Sequence, residues 1–291
     1  MSDQAWTVLR LLQWTTEFFQ KRGSDSPRLD AEVLLAHARQ CSRIELYTAF
    51  EEVPEESQRD AFRELVRRRG EGTPVAQLVG YKEFYSLRFR VNEHTLIPRP
   101  ETEHLVIEAL DCARTIEDLG RPLRIIDVGT GTGAIAVSLA VHRPDCQVVA
   151  TDISESALEV ARWNAQQHDV ADRIEFVCTD LMENVQTESF DLICSNPPYV
   201  SEAEFLELDR GVKDFEPKTA LVAGDDGTEV IKRLMAESYP RLESHGRLII
   251  ELSPMIAEAC EEYVDQINEL GDLRFIKDLA GHKRILSVGR V

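Results

Sequence analysis

Cations are in deficit in this 291-residue chain: 33 Lys and Arg stand against 52 Asp and Glu, a formal net charge of −19 at pH 7. A surface of that sign repels a polyanion at long range, so direct binding of extended nucleic acid is not expected. Paired cysteines are missing too. The six cysteines, at 41, 112, 146, 178, 194 and 260, form no C-x-x-C pair, and the seven histidines form no H-x-x-x-H pair. This argues against a zinc site and a disulfide framework, and for reduced thiols in a cytoplasm; no metal is expected. Long apolar runs are absent. Stretches such as AIAVSLAV fall far short of the ~20 residues that span a bilayer, so no membrane partner is expected. The opening MSDQAWTVLR has no basic segment leading into an apolar one, so no secretory signal is expected. Internal repeats are absent as well.

What is present is an ordinary globular content, 43% hydrophobic, arranged in two unlike halves. Residues 3–70 carry helical spacing. Trp6, Leu9, Leu12, Phe18 and Phe19 fall on one stripe. Ser26-Pro27 looks like a helix start, and Gly70 with Gly72 ends the last helix. YKEFYSLRFRVN, with Phe84, Leu87, Phe89 and Val91 near alternation, predicts a β-hairpin. From 123 onward apolar strands alternate with helices: LRIIDVG, QVVATD, RIEFVCTD, FDLICSN, RLIIELS, LRFIKDL and RILSVGR are the strands. That alternation predicts an α/β, doubly wound, mostly parallel seven-stranded sheet. The connection DLAGHK is too short for a crossover helix, so the last two strands should be antiparallel. The expected organisation is a helical bundle over 1–75, a hairpin linker over 76–95 and a Rossmann-like domain over 96–291.

Two chemical motifs stand out. Asp127-Val-Gly-Thr-Gly-Thr-Gly133 ends the first strand of the alternating region and opens a helix. Its glycines, Gly129, Gly131 and Gly133, with Thr130 and Thr132 between them, permit a tight turn and close approach of a ligand to the backbone. Alone, such a loop is as often mere helix–strand packing. The next strand ends at Asp152, about 20 residues on, where an acid can take ribose hydroxyls; the plainer role is a helix cap. Asp180, ending the third strand, could accept from an adenine amino group, with the same plainer alternative. These features favour a nucleotide-like ligand without distinguishing NAD from S-adenosylmethionine.

The second motif is Asn196-Pro197-Pro198-Tyr199, after the fourth strand. A planar NH₂ is a poor nucleophile because its lone pair is delocalised. The Asn196 side-chain oxygen and the Pro197 carbonyl can each accept one of its hydrogens, and Tyr199 can stack on its flat face. Catalysis is then positioning by oriented dipoles. In isolation NPPY would be a proline turn with a buried tyrosine; behind a glycine loop and an acid it points to methyl transfer to nitrogen.

Over nearly its full length the sequence resembles the release factor glutamine methyltransferases, the PrmC/HemK family. The segments that carry the resemblance are GTPVAQLVGYKEFYSLRFRVNEHTLIPRPETEHLV (72–106), DVGTGTGAIAVSLA (127–140), SNPPYV (195–200) and DFEPKTALVAGDDGTEVIKRL (214–234). LIPRPETE is far more specific than NPPY, which nitrogen methyltransferases acting on DNA and RNA share. The resemblance implies a class I methyltransferase domain behind a partner-recognising bundle. It implies S-adenosylmethionine as donor, S-adenosylhomocysteine as product, and N5-methylation of the glutamine in the Gly-Gly-Gln loop of class I release factors. A monomer is expected. Carried over, Gly129 through Gly133, Asp152, Asp180, Leu181 and Asn196 would hold the cofactor. Asn196 through Tyr199 would hold the glutamine, and Arg99, Pro100 and Thr102 would line the pocket. Three departures stand out: Leu181 where an aromatic often packs on adenine, Ser86 in place of a glycine, and ELSPMI (251–256) in place of a Glu-Ile-Gly run.

Arg67-Arg68-Arg69 reads as a solvated helix end, Cys194 as a buried small hydrophobe, and Trp6, Trp14 and Trp163 as packing residues. The rival functions are methylation of a ribosomal-protein glutamine, methylation of an exocyclic amino group of a nucleic-acid base, and a cofactor-binding scaffold without activity.

Overall fold

The computed structural model describes residues 5–116 and 119–291. The first half begins with α1 (Val8–Gln20), α2 (Pro27–Arg39), α3 (Arg43–Thr48), α4 (Glu56–Gly70) and α5 (Val75–Val79). A hairpin of β1 (Tyr81–Phe84) and β2 (Leu87–Arg90) follows, then α6 (Glu103–Thr115). The alternating region runs β3 (Leu123–Val128), α7 (Ala134–His142), β4 (Cys146–Asp152), α8 (Glu155–Gln167), β5 (Ile174–Cys178) and β6 (Phe190–Ser195). It continues with α9 (Glu202–Glu207), α10 (Arg210–Lys213), α11 (Glu229–Ser238), β7 (Leu242–Glu251), α12 (Ala257–Val264), β8 (Leu270–Lys277) and β9 (Lys283–Arg290).

Two compact units result. One comprises the residues up to Gly80 together with Arg210–Phe215; the other is the rest. In the first, α1 starts at Thr7, whose hydroxyl accepts from Arg10 N, and buries Val8, Leu12, Thr15 and Phe19 on one face. Pro27 occupies the first turn of α2, where its missing N–H costs nothing. Glu32 of α2 is buried and ties the bundle together, accepting from Arg28, Arg43 and Tyr47. The arginine run at the end of α4 is engaged in ion pairs: Arg67 with Glu64 and Glu71, and Arg69 with Asp30. Trp6 and Trp14 are not simply packed inside. They stay part-exposed and, with Phe18, Phe62 and Arg63, line a groove of about 420 Å³.

The second unit is a seven-stranded sheet in the order β5-β4-β3-β6-β7-β9-β8. All pairings are parallel except those of β9, which runs antiparallel to both β7 and β8. The antiparallel end was legible in the short DLAGHK connection. Chain order reverses beside β3, with β4 on one flank and β6 on the other. That switch point opens a crevice beyond the C-terminal strand ends. Apolar clusters on the two faces fix the sheet: one holds Ile125, Leu139 and Leu192, the other Ile126, Ile193 and Ile250. The hairpin belongs to this unit, with Phe84 and Phe89 in the first cluster. Its two-residue turn places Tyr85 and Ser86 at φ 48° and 60°, the left-handed region that a glycine would occupy without strain.

Candidate active site

Below the switch point a cavity of about 460 Å³ opens at the C-terminal edge of β3, β4, β5 and β6. The glycine loop forms its floor. Gly129 and Gly131 have φ of 72° and 54°, and a Cβ added to either would meet nothing within 4 Å. Both therefore leave open space where a side chain would project. Gly133 does a different job. A Cβ there would lie 3.1 Å from the Ala161 Cβ, so this glycine lets α7 approach α8. Of the five loop residues, Gly129 through Thr132 line the cavity and Gly133 does not.

The loop is held by three side chains. Asp127 is fully buried; its Oδ2 accepts from the Thr130 hydroxyl at 2.6 Å and from Ala136 N at 3.1 Å. Its Oδ1 has no partner among the described residues. Burial pushes the Asp127 carboxyl up to about 7, against the pull of those two donors. Asn164, also buried, donates to the carbonyls of Thr132 and Arg90 and accepts from Arg90 N, pinning the hairpin to the loop. Asp152 accepts from Gly131 N and Ser154 N, each at 2.9 Å. The cap of α8 is Ser154, whose hydroxyl accepts from Ala157 N, so Asp152 is not the capping side chain. Asp152 lines the cavity, and burial raises its pKa.

Asp180 and Leu181 also stand in the wall. The Asp180 carboxylate is paired with Arg233 at 2.8 Å, a partner sequence reading gave no hint of. Leu181 sits at φ 46°, an uncommon conformation for a branched aliphatic residue and one that sets its side chain against the cavity.

On the β6 side, Asn196 and Pro198 line the cavity together with Thr102. Asn196 Nδ2 donates to the Thr102 hydroxyl at 3.2 Å. The Ser195 hydroxyl donates to the Val128 carbonyl at 2.7 Å and locks the end of β6 to that of β3. The following backbone is clamped from above: Val200 N donates to the Leu221 carbonyl, Ala223 N to that of Val200. A Cβ at Gly227 would come within 2.6 Å of the Tyr199 carbonyl oxygen, so only glycine allows that approach.

Four further expected residues lie outside the wall. Pro197 is buried behind the wall. Tyr199 packs against the second apolar cluster, and its phenol, pushed up by burial, sits near Glu251 rather than in the cavity wall. Arg99 is held by Glu216 at 2.6 Å, and the same carboxylate accepts from Ile97 N at 3.3 Å. Arg99 thereby fastens the 97–99 backbone to the 216 segment and is not part of the wall; nor is Pro100. Conversely, the wall includes Thr95, Leu96, Pro98 and Thr219, which single-sequence reasoning passed over. Among the described residues, no group of three or more His, Cys, Asp or Glu could hold a metal ion. No described helix is long and apolar enough to cross a membrane.

Comparison with known proteins adds the following. The PrmC N-terminal domain family matches residues 10–80, and the methyltransferase small domain family matches 105–208. A release factor glutamine methyltransferase of Rhodopirellula baltica is 57% identical over 99% of this chain and 97% of its own length. One of Nitratidesulfovibrio vulgaris is 41% identical over 98% and 95%. Among solved structures, the Mettl16 catalytic domain in complex with MAT2A 3′UTR hairpin 6 aligns with a TM-score of 0.56. It covers 77% of this chain and 81% of that one at 18% identity, a likeness of fold alone.

Proposed function

The chain belongs to the family of release factor glutamine methyltransferases, and on that premise we propose that it methylates the side-chain amide nitrogen of the Gly-Gly-Gln glutamine in class I release factors. S-adenosylmethionine would supply the methyl group from its sulfonium. The residues present fit that donor. Gly129 and Gly131 leave room for a ligand against the backbone. Each oxygen of Asp152 keeps a second lone pair after its backbone bond, enough for two ribose hydroxyls. Asp127, buried under the loop and outside the wall, holds the loop in shape through Thr130 and Ala136. Asp180 and Leu181, also in the wall, would flank the adenine.

The observation that carries the reading is the place of Asn196. It stands in the wall of the same cavity as the glycine loop and Asp152, with its NH₂ already given to Thr102. Its oxygen is then the end free to accept from a substrate N–H. The carbonyl of Pro197, the next residue of the same loop although not itself in the wall, would take the other hydrogen. Holding both hydrogens orients the nitrogen lone pair toward the methyl group and favours pyramidal geometry. The nitrogen can lose its proton after transfer, so no general base is needed beforehand. Tyr199 would buttress this loop from behind, and the Arg99–Glu216 pair would hold the neighbouring backbone in place.

Partner choice is assigned to the helical bundle, because every residue of the cavity wall lies outside it. Incubating the protein with labelled S-adenosylmethionine and a release factor tests the whole reading. Mass spectrometry should find one added methyl on the Gly-Gly-Gln glutamine. Transfer to a ribosomal protein or to nucleic acid instead would refute it.

A further inference from the structure

A carboxyl group stands behind the cavity wall where the proposed reaction has no use for one. Glu251 ends β7. The parallel β6–β7 register pairs Ser195 with Ile250, so Glu251 lies level with Asn196 at the sheet edge. Glu251 is only 2% exposed, and its Oε2 has no hydrogen-bond partner among the described residues. Placing a carboxylate there is costly, and an apolar side chain would fill the same space without cost.

Its surroundings connect it to the reaction. Burial acts most strongly on the Glu251 carboxyl and disfavours its charge; the Thr102 hydroxyl is the strongest influence favouring the charged form, and the Tyr199 phenol adds a weaker one. Arg284 of β9 attracts it, Glu101 repels it, and burial outweighs them all, pushing the carboxyl up to about 7. Thr102 also touches Asn196, accepting from its Nδ2. A hydroxyl has a single hydrogen to donate. When that hydrogen goes to the Glu251 carboxylate, only the oxygen faces Asn196, and only the NH₂ end of the Asn196 amide can meet it. The Asn196 oxygen is then turned the other way. When Glu251 carries no charge, the Thr102 hydrogen can go to Asn196 instead. The amide can flip with almost no change of shape and present an NH₂ to the substrate's own NH₂.

We propose that Glu251 is a positioning residue that, through the Thr102 hydroxyl, fixes which end of the Asn196 amide faces the cavity. This rests on the reading that the Asn196 oxygen holds the reacting nitrogen. The decisive variant is Glu251→Gln, which keeps the shape and removes the charge. Its kcat on release factor should fall about 10²-fold, as expected for a misaligned reacting group. KM for S-adenosylmethionine should stay put, and the melting temperature at pH 8 should be no lower than that of wild type. In wild type, kcat should rise with pH around a midpoint near 7, where burial places the Glu251 carboxyl. That limb should vanish in Glu251→Gln, and Thr102→Val should match the variant's loss. A Glu251→Gln enzyme with wild-type kcat, or one that keeps the pH limb, overturns the proposal.

A second measurement needs no substrate. In ¹⁵N NMR of the full chain, the Asn196 side-chain amide should titrate with pH in wild type and stop doing so in Glu251→Gln. Identical behaviour in the two proteins overturns the proposal. If that titration is seen but wild type methylates no release factor, the substrate reading has failed and the positioning role stands.

Discussion

Asp152→Asn separates two tasks that one carboxylate can perform at once. In the structure its oxygens accept from Gly131 N and Ser154 N, each at 2.9 Å, which sets the glycine loop against β4. The second lone pair on each oxygen remains for the two ribose hydroxyls. Asparagine keeps one acceptor oxygen in the same place and loses the other with the charge. A hydrogen bond to a charged group contributes about 1.5–3 kcal/mol. Losing one therefore weakens cofactor binding roughly 10- to 140-fold, at about 1.4 kcal/mol per decade. The fold should respond differently. Burial raises the Asp152 pKa, so its ionisation costs the folded state increasingly as pH rises from the unfolded carboxyl value through the higher folded one. At pH 7.5 the neutral amide relieves that cost. Against this stands one lost backbone bond, whose N–H now faces the amide NH₂, a cost of about 1–3 kcal/mol. The melting temperature should move by only a few degrees. Titration calorimetry with S-adenosylhomocysteine, alongside a melting curve, checks both. Affinity within twofold of wild type in a folded protein would refute the argument and leave Asp152 as a loop clasp alone.

Asn196→Ala should lower kcat on release factor by about 10²-fold or more with cofactor affinity changed less than threefold; near-normal turnover would remove the loop from the chemistry. The two glycines should part company: Gly133→Ala must crowd Ala161 at 3.1 Å and should lose at least ~2 kcal/mol in urea unfolding. Gly129→Ala, with open space around its Cβ, should lose about 1–2 kcal/mol and show its larger effect in cofactor affinity. Asp191 is buried and accepts from Arg121, the Arg124 backbone and His245, and its pKa is lowered, burial notwithstanding. Its contribution is present above the unfolded carboxyl value near pH 4 and is lost as pH falls through the lower folded one. Melting curves should therefore show a steeper loss below pH 4 in wild type than in Asp191→Asn, which at neutral pH should be less stable by about 3 kcal/mol or less, since Arg121 keeps part of its hydration. In the bundle, Trp14→Ala combined with Arg63→Glu should raise KM for release factor while leaving cofactor affinity unchanged; an unchanged KM would take this groove out of partner binding.

Much of this was legible because its signals are local. A glycine loop between an apolar strand and a helix declares its own place, and so does NPPY after the fourth strand. A connection as short as DLAGHK leaves only an antiparallel return for the last two strands. What escaped is what sequence separation hides. Arg99 looked like a ligand residue because it sits in a specific, proline-rich segment; its partner Glu216 lies 117 positions away and converts it into a fastening. Arg210–Phe215 joins the bundle across a comparable gap, with the Gln77 side chain donating to the Phe215 carbonyl at 2.7 Å. Tyr199 was read as a stacking platform from its place in the motif, yet whether a ring faces a cavity or a core depends on what the neighbouring strand places behind it.

Glu251 is the instructive omission, because the sequence did carry its signal. It is an acid ending an apolar strand, RLIIE, as Asp152 ends QVVATD and Asp127 nearly ends LRIID. In a parallel sheet the C-terminal ends of all strands meet at one edge, and ligands bind beyond that edge at the switch point. Here the neighbouring strands β4, β3, β6 and β7 deliver Asp152, Asp127, Asn196 and Glu251 in that order along it. Solvent-exposed strand ends carry acids for many reasons, but Asp127 and Glu251 are buried, and Asp127 Oδ1 and Glu251 Oε2 have no hydrogen-bond partner among the described residues. A buried, half-satisfied carboxyl lowers stability, and the fold retains two of them within one strand of Asn196. Neither lines the cavity, but both back it: Asp127 lies under the glycine loop, and Glu251 lies level with the amide proposed to hold the reacting nitrogen.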